Sequence, residues 1–336
     1  MNQLIQKIFI VLILFILLCR SGIAEEKMWA GEKANTRFRL LCLQQGEDYR
    51  NSGNKSPAEN LNSLIQLAKA GLSGKPNVIV FPEYATTGVP YPSPDSIRNT
   101  AEQIPGNGAL YSLYVNFAKE CKKPVIGWMV EKDKDKYYNT AFLINKHGEF
   151  VDKYRKVQTN LREQNIWGFA PGNEFKIFEI DSCKIGMSIC ADMWFPETVM
   201  CLALMQADMI LHLSVGDDMG WVIPTRARDH FIPIIAAIHV HGSWGVDQWG
   251  ELIRKGSKFH EYNIFDVFPF RKVITGRLGG WYPQLGRRAY RNPNAYSIIT
   301  DTTTIPPLSK VFFNPETGKT LTEEELKSKF PRYRGY

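Results

Sequence analysis

The sequence predicts an α/β protein built as one main domain. Apolar runs at residues 77–81 and 209–215 have the composition of strands that are buried on both faces, as in parallel sheets. Segments with apolar residues at helical spacing separate such runs, and this alternation is typical of layered α/β folds. No Gly/Ser/Pro-rich linker and no repeat of fixed period interrupts the 336 residues, so a single domain is expected.

The first predicted elements are a strand, a helix and a second strand. The strand is expected at 37–43. The helix follows because Ser56 and Glu59 form a capping box with Pro57 at the first helical position. The second strand, at 77–81, ends at a proline, which lacks the N–H that a continuing ladder needs. The apolar positions of the helix recur at helical spacing: Leu61, Leu64, Ile65, Ala68 and Leu72.

The same patterns predict the elements of the central region. In chain order these are a helix at 110–121, strands at 125–130, 138–145, 175–180 and 184–189, a helix at 196–206 and the strand at 209–215. From about residue 245 the pattern no longer distinguishes helix from strand. After a turn at 314–318 the last residues are expected to form a surface tail.

Residues 1–24 have the organisation of a secretory signal peptide. Lys7 precedes an unbroken run of 11 apolar residues, and small residues stand at positions −3 and −1 of a cut after Ala24. We expect cleavage there, which leaves the domain 25–336 secreted or periplasmic and without a stable membrane partner. The alternative is an uncleaved membrane anchor, although the run is short for a bilayer.

Charge and cysteine content argue against several classes of function. Cleavage removes Lys7 and Arg20 from 41 basic residues, which leaves 39 against 34 acidic residues in 312, a net charge of +5. Positive residues alternate with acids, as at 131–136, a pattern that predicts a solvated hairpin rim and no nucleic-acid surface. Five irregularly spaced cysteines would remain, so at least one thiol should be free.

No metal or other cofactor is expected. Neither a CxxC pair nor an HExxH motif occurs, so the usual spacing of zinc ligands is absent. His239 and His241 would point the same way on a strand. No third ligand is near them in sequence, which makes a metal site there a minor alternative.

Three polar residues come after apolar strands, where α/β folds build their sites. Glu83 follows the strand at 77–81, Lys156 lies in a Tyr-Arg-Lys segment, and Cys190 follows the strand at 184–189. A carboxylate, an ammonium and a thiol brought together could act as base, oxyanion partner and nucleophile. Taken singly, each has a simpler interpretation: a capping Glu, a solvated Lys and an inert buried Cys.

Taken together and in this order, these segments resemble the nitrilase-like carbon-nitrogen hydrolases, a family of amidases, carbamoylases and nitrilases. The resemblance runs from about residue 37 to about residue 242. It implies a four-layer α-β-β-α sandwich and assembly as a homodimer or higher homo-oligomer. The matching segments are Phe81-Pro82-Glu83-Tyr84, Tyr154-Arg155-Lys156, Phe169-Ala170-Pro171-Gly172, Gly186-Met187-Ser188-Ile189-Cys190-Ala191-Asp192, Phe195-Pro196-Glu197, Ala207-Asp208-Met209-Ile210-Leu211 and Arg226-Ala227-Arg228.

The resemblance also implies catalytic roles. Cys190 would be the nucleophile and Glu83 the general base and later acid. Lys156, with the backbone N–H of Ala191, would stabilise the oxyanion. Glu163, the only acidic residue between Lys156 and the Pro-Gly turn, would orient Lys156 and the substrate. The alternative for Glu163 is an ordinary glutamate on the surface of a loop.

The expected activity is hydrolysis of a small-molecule amide or N-carbamoyl compound through a thioester on Cys190. Ala191 and Asp192 follow the nucleophile, where nitrilases usually carry Trp-Glu, and this difference favours amide or carbamoyl substrates over nitriles. Acyl transfer to an amine is one alternative activity. A non-catalytic binding protein that retains the fold is another, although all three catalytic residue types are present.

Positions after strand ends suggest residues that border the substrate pocket. Tyr84, Trp194 and Asp217 are expected there, together with Ala191. An inward-facing Asp217 would favour a cationic amine substrate. The alternative is that Asp217 caps the helix that follows it.

Overall fold

The computed structural model describes five stretches of the chain, and all of them fall within one compact unit. The predicted signal peptide, Asp217 and the C-terminal tail lie outside the described residues. Cleavage after Ala24 and the boundaries of the domain therefore stay predictions. The described stretches are residues 36–46, 55–88, 93–216, 220–257 and 261–269.

Strands and helices alternate through the described part of the chain. Short 3₁₀ turns follow α1 and β7, at Leu72–Gly74 and Cys190–Trp194. In chain order the elements are β1 (Phe38–Gln44), α1 (Pro57–Gly71), β2 (Val78–Val80), α2 (Pro94–Asn99), α3 (Ala109–Cys121), β3 (Val125–Asp133), β4 (Lys136–Ile144), β5 (Phe150–Arg155), α4 (Leu161–Asn165), β6 (Ile177–Ile180), β7 (Cys183–Ile189), α5 (Pro196–Leu204), β8 (Met209–Ser214), α6 (Val222–His230), β9 (Ile234–Ile238), β10 (Trp244–Val246), β11 (Leu252–Lys255) and β12 (Glu261–Val267).

The helices and strands that the sequence predicts before residue 216 are present, with ends that differ by a few residues. The predicted capping box of α1 is confirmed, because Ser56 Oγ accepts from the Glu59 N–H and the Glu59 carboxylate accepts from the Ser56 N–H. The sequence pattern does not predict α2, α4 or β5. The first two are only 6 and 5 residues long, and β5 is mostly half-buried, so none has a clear period.

The strands form two six-stranded mixed sheets. The first sheet has the order β12-β1-β2-β3-β4-β5 and the second the order β11-β10-β9-β8-β7-β6. Strands β1, β2 and β3 run parallel at the centre of the first sheet, as do β7, β8 and β9 in the second. Outer strands pair antiparallel.

The sheets pack face to face with helices on their outer sides. The core between them combines side chains of the first sheet, such as Trp128 and Tyr154, with side chains of the second, such as Met187 and Leu211. Helices α1 and α3 cover the outer face of the first sheet, and α5 and α6 cover that of the second. The predicted four-layer α-β-β-α sandwich is confirmed.

The segment 131–136 differs in part from the solvated rim that its charges predict. Lys134 is exposed at the turn between β3 and β4, but Glu131 is buried and its carboxylate binds Lys153 and Arg155. It also accepts from the Thr140 hydroxyl at 2.9 Å. Two cations and a hydroxyl compensate for the desolvation of this carboxylate. Its partners come from β4 and β5, so the local charge pattern does not reveal its burial.

Candidate active site

The three polar residues that the sequence singles out come from both sheets. Glu83 follows β2 and Lys156 follows β5 in the first sheet, whereas Cys190 follows β7 in the second. Lys156 remains tied to the sheet because its backbone N–H donates to the Asn139 carbonyl of β4 at 2.9 Å. Because the sheets pack face to face, the strand ends bring all three side chains together between them.

The ammonium group of Lys156 contacts two carboxylates in the interior. Its Nζ lies 3.2 Å from Glu83 Oε1 and 2.9 Å from Glu163 Oε1, and all three side chains are 1% exposed. Asn139 Nδ2 donates to the same two oxygens, at 2.7 Å each. Trp128 Nε1 donates to Asn139 Oδ1 at 2.6 Å, which fixes the orientation of the carboxamide. We refer to Glu83, Lys156, Glu163 and Asn139 as the charged cluster.

Glu163 is held by the helix that carries it. Its Oε2 accepts from the Asn160 N–H at 2.8 Å, and Asn160 Oδ1 accepts from the Glu163 N–H at 2.9 Å. This capping box begins α4. With Oε1 on Lys156 and Oε2 on the helix, the carboxylate is fixed at both oxygens. Glu163 is therefore buried in the charged cluster, and the surface-loop alternative is wrong.

Burial sets the protonation behaviour of the charged cluster. It raises the pKa of the Glu83 carboxyl; the charge of Lys156 opposes this shift and that of Glu163 adds to it. Burial alone would lower the pKa of Lys156, but the Glu163 and Glu83 carboxylates outweigh it and hold that pKa well above its ordinary value. Lys156 therefore stays cationic, and Glu83 can accept a proton more readily than an exposed glutamate.

Cys190 begins the 3₁₀ turn after β7 and is partly exposed. Its φ of 44° lies in the left-handed region, which costs a non-glycine residue about 1–2 kcal/mol. Burial and the charge of Glu83 raise the pKa of the thiol, while Lys156 and a hydrogen bond with Ser214 act in the opposite direction. The resting thiol is therefore neutral and needs a base to become a nucleophile.

Asp192 anchors the turn that carries Cys190. Its Oδ2 accepts from the Ile189 N–H at 2.8 Å and from the Tyr154 hydroxyl at 2.7 Å. Its Oδ1 accepts from the Gln158 N–H at 2.7 Å. Burial raises the pKa of Asp192 to about 6 against the effect of these donors. The Asp192 carboxyl thus ties the turn that carries Cys190 to β5 of the first sheet and to the segment after β5.

The residues expected to border the pocket lie in different settings. Tyr84 is 2% exposed, and its ring packs 4.7 Å from that of Trp128. Ala191 is partly exposed beside Cys190. Trp194 is 40% exposed, and its ring lies 5.9 Å from that of Trp221 at the start of α6. Contact of Tyr84, Ala191 and Trp194 with substrate stays a prediction.

The two histidines do not form a pair. Strand β9 ends at Ile238, so both lie beyond it; His239 is buried and His241 is exposed. The expectation that they point the same way is therefore wrong. Within the described ranges, no group of three or more His, Cys, Asp or Glu side chains could hold a metal ion. Over the same ranges, no helix combines the length and the apolar character that crossing a membrane requires.

Sequence reasoning missed Asn139 and did not assign His239 to the site. Asn139 and Thr140 stand between the aromatic and apolar residues of β4, and a buried amide requires hydrogen-bond partners. That is a signal for a polar site, but it does not identify the partners. His239 accompanies Glu83 only because the ends of β2 and β9 meet in space.

Comparison with known proteins now identifies the family. The model of the carbon-nitrogen hydrolase family matches residues 44–267. This chain belongs to the carbon-nitrogen hydrolase family. It is similar to an omega-amidase from Xenopus laevis, with 28% identity over 266 residues that cover 72% of this chain and 92% of the relative. It is also similar to a nitrilase from Pyrococcus abyssi, with 31% identity over 187 residues that cover 55% and 70%.

Solved structures of the nitrilase superfamily share the fold of this hydrolase. A mutant of the amidase from Nesterenkonia sp. AN1 in complex with butyramide superposes with a TM-score of 0.62 at 19% identity, covering 79% of this chain and 98% of that chain. Saccharomyces cerevisiae Nit3 gives a TM-score of 0.60 at 19% identity, with coverage of 76% and 94%. At this identity the likeness establishes the fold.

The geometry of the charged cluster predicts a pH-dependent loss of stability in Lys156→Met. Removing the cation leaves two buried carboxylates, which should lower the free energy of unfolding by about 3–5 kcal/mol at neutral pH. Without the opposing charge of Lys156, the pKa of Glu83 in the folded state should rise further, so the folded protein binds a proton that the unfolded chain releases. Stability of the variant should therefore decrease as the pH rises from about 5 to about 8. Urea denaturation across this range measures the effect.

Lys153→Met is the matched control. Lys153 also contacts a buried carboxylate, that of Glu131, but it is 27% exposed and Arg155 remains as a second cation. We expect a smaller loss of stability and a flatter pH dependence. Equal losses with the same pH slope in both variants would contradict the cluster electrostatics described above.

Proposed function

We propose that this hydrolase cleaves the C–N bond of a small amide through a thioester on Cys190. The observation that carries the proposal is the charged cluster, which places one buried ammonium between two carboxylates near a strained, partly exposed thiol. Burial of three charged groups carries a large desolvation penalty, and such clusters are typical of functional sites. The charged cluster therefore argues against a non-catalytic protein that merely keeps the fold. An amidase variant from Nesterenkonia sp. carries the acetamide moiety of fluoroacetamide on its active-site cysteine.

The first half of the reaction forms the thioester. Glu83 takes the thiol proton as Cys190 Sγ attacks the amide carbon, and the carbonyl electron pair moves to oxygen. Lys156 and the Ala191 N–H stabilise the resulting oxyanion. When the oxyanion collapses, the C–N bond breaks, the departing nitrogen takes the proton from Glu83, and ammonia or an amine leaves.

The second half releases the acyl group. A water molecule gives its proton to Glu83 and attacks the thioester carbon, so that a second oxyanion forms in the same place. The C–S bond then breaks, the carboxylic acid leaves, and the proton on Glu83 returns to the sulfur of Cys190. Glu83 acts as base and acid in turn, which suits a carboxyl whose pKa burial has raised.

The residues after the nucleophile support an amide or N-carbamoyl substrate. Ala191 and Asp192 stand where nitrilases usually carry Trp-Glu. Omega-amidases from Xenopus and mouse are among the similar proteins, at 27–28% identity. Acyl transfer would differ only in the second half, where an amine replaces water. No described feature favours an amine at that step.

Substitution of Cys190 tests the proposal directly. Cys190→Ala should lower ammonia release from a panel of small amides and carbamoyl compounds by at least about 10⁴-fold, since alanine has no thiol with which to form the thioester. Cys201→Ala, which removes a partly exposed thiol of α5, should leave the rate unchanged. Intact-mass spectrometry would show the acyl adduct in the wild type. Activity that survives in Cys190→Ala would overturn the proposal, and amine acylation faster than hydrolysis would favour acyl transfer.

The charge of Glu163 predicts a shift in the pH profile. In the wild type, kcat/KM should fall as the pH drops through the raised pKa of Glu83, because the base becomes protonated. Glu163 adds to that raised pKa, so Glu163→Gln should move the acid limb to lower pH. The substitution should also reduce kcat, since Lys156 loses a carboxylate partner. An acid limb that stays in place or moves to higher pH would contradict this assignment.

We also propose that the protein acts outside the cytoplasm after loss of residues 1–24, as a homodimer or larger homo-oligomer. The proposal rests on the N-terminal sequence pattern and on the family resemblance. The intact mass of the protein purified from its native host should correspond to a chain that begins at Glu25. Light scattering should give at least twice that mass. A full-length chain or a monomer would contradict the respective part.

A further inference from the structure

His239 directly follows β9, and its ring lies between the segments that follow β1 and β2 of the first sheet. The residue is fully buried. Its Nδ1 lies 2.8 Å from the Glu83 carbonyl oxygen, and its Nε2 lies 3.0 Å from the side-chain oxygen of Gln45. Both ring nitrogens are thus engaged, one of them by the backbone of the proposed base.

The partner of Nδ1 determines where the ring carries its proton. A backbone carbonyl can only accept a hydrogen bond, so His239 Nδ1 must be the donor to Glu83. The side chain of Gln45 can present either its oxygen or its nitrogen to Nε2, because the two are interchangeable by rotation of the amide. The Gln45 amide can rotate to match either protonation state of Nε2, whereas the Glu83 carbonyl requires a proton on Nδ1. The hydrogen bond to Glu83 therefore fixes the tautomer of His239.

The backbone of His239 links both sheets at the active site. Its N–H donates to the Ser214 carbonyl at the end of β8, and its carbonyl accepts from the Gln45 N–H after β1. The Ser214 hydroxyl donates to the Gly216 carbonyl at 3.0 Å, and it lies close enough to the Cys190 thiol to lower the pKa of that thiol. The next residue, Val215, donates its N–H to Glu83 Oε2 at 3.1 Å. One residue thus joins the segment that holds the base to the segment that touches the nucleophile.

The peptide group that His239 binds is adjacent to a strained residue. Tyr84 follows Glu83 directly and has a φ of 63°. This left-handed conformation is rare for a bulky side chain and persists only where the surroundings hold it. The His239 bond to the Glu83 carbonyl fixes the peptide group between Glu83 and Tyr84, and so supplies such a restraint.

We propose that His239 is a positioning residue for the reaction: its Nδ1–H holds the Glu83 backbone so that the carboxylate stays aligned with Cys190. The inference rests on the proposed function of Glu83 as the base. His239 itself touches no reacting atom. Its effect reaches the reaction through the position of Glu83, where a displacement of about 1 Å can cost about 100-fold in rate.

Two amide substitutions separate the two hydrogen bonds of the ring. In His239→Asn the side-chain nitrogen lies the same number of bonds from the backbone as Nδ1 and can still donate to the Glu83 carbonyl. In His239→Gln the amide extends one carbon further, towards Gln45, and the donor to Glu83 is lost. Both replacements are polar and smaller than or similar to histidine, so their effects on folding should be similar.

The expected result is a difference in kcat between these two variants. His239→Gln should lower kcat by about 100-fold with little change in KM, whereas His239→Asn should retain most of the wild-type kcat. His241→Leu, at the exposed neighbouring histidine, should behave as the wild type. Equal kcat values in the Asn and Gln variants, whether high or low, would overturn the proposal.

The rate of Cys190 alkylation by iodoacetamide tests the positioning without a substrate. The rate should be highest in the wild type, lower in His239→Asn and lowest in His239→Gln, because proton removal from the thiol depends on Glu83. Peptide mass mapping confirms that Cys190 is the modified residue. If this order holds while the wild type hydrolyses no amide, the proposed function fails and the positioning role stands. If the wild type hydrolyses amides and both variants are alkylated at one rate, only the positioning role fails.

Discussion

The structure of the site depends on one interaction, the contact of the Lys156 ammonium with two carboxylates in the interior. Each of the three charges would be unfavourable alone after removal from water, and each is stable here because the others and Asn139 surround it. The need to satisfy the ammonium and both carboxylates explains why the carboxamide of Asn139 is itself fixed by Trp128. A change in the charge of Lys156 or Glu163 therefore alters the pKa of Glu83.

The two-sheet architecture makes this arrangement possible. Glu83 and Lys156 follow strands of the first sheet and Cys190 follows a strand of the second, so their alignment requires hydrogen bonds that cross between the sheets. Asp192 supplies one such connection, from the turn that carries Cys190 to β5 and the segment after it. The Val215 N–H supplies another, from the end of β8 to Glu83. Hydrogen bonds between polar groups at the strand ends thus hold the two sheets together at the site, as apolar packing holds them together in the core.

The local pattern of apolar and capping residues is sufficient to predict most of the helices and strands. The capping box and helical spacing of α1 predict that helix, and the apolar runs predict the buried strands β2 and β8. Short elements such as α4 and mixed strands such as β5 escape prediction because too few residues show a period. The four-layer arrangement came from the family resemblance and not from the pattern of any single segment.

The amino-acid order alone identifies the side chains that could perform the chemistry. Glu83 and Cys190 follow predicted strands, Lys156 lies in a Tyr-Arg-Lys segment, and Glu163 is the one acidic residue between Lys156 and the Pro-Gly turn. The groups that hold these side chains in place are visible only in the folded protein. Asn139 and His239 have no motif of their own, and Glu131 looks like a surface charge until β5 is placed near it. The physical reason is that hydrogen bonds and desolvation depend on distances in space, whereas a sequence records only order along the chain.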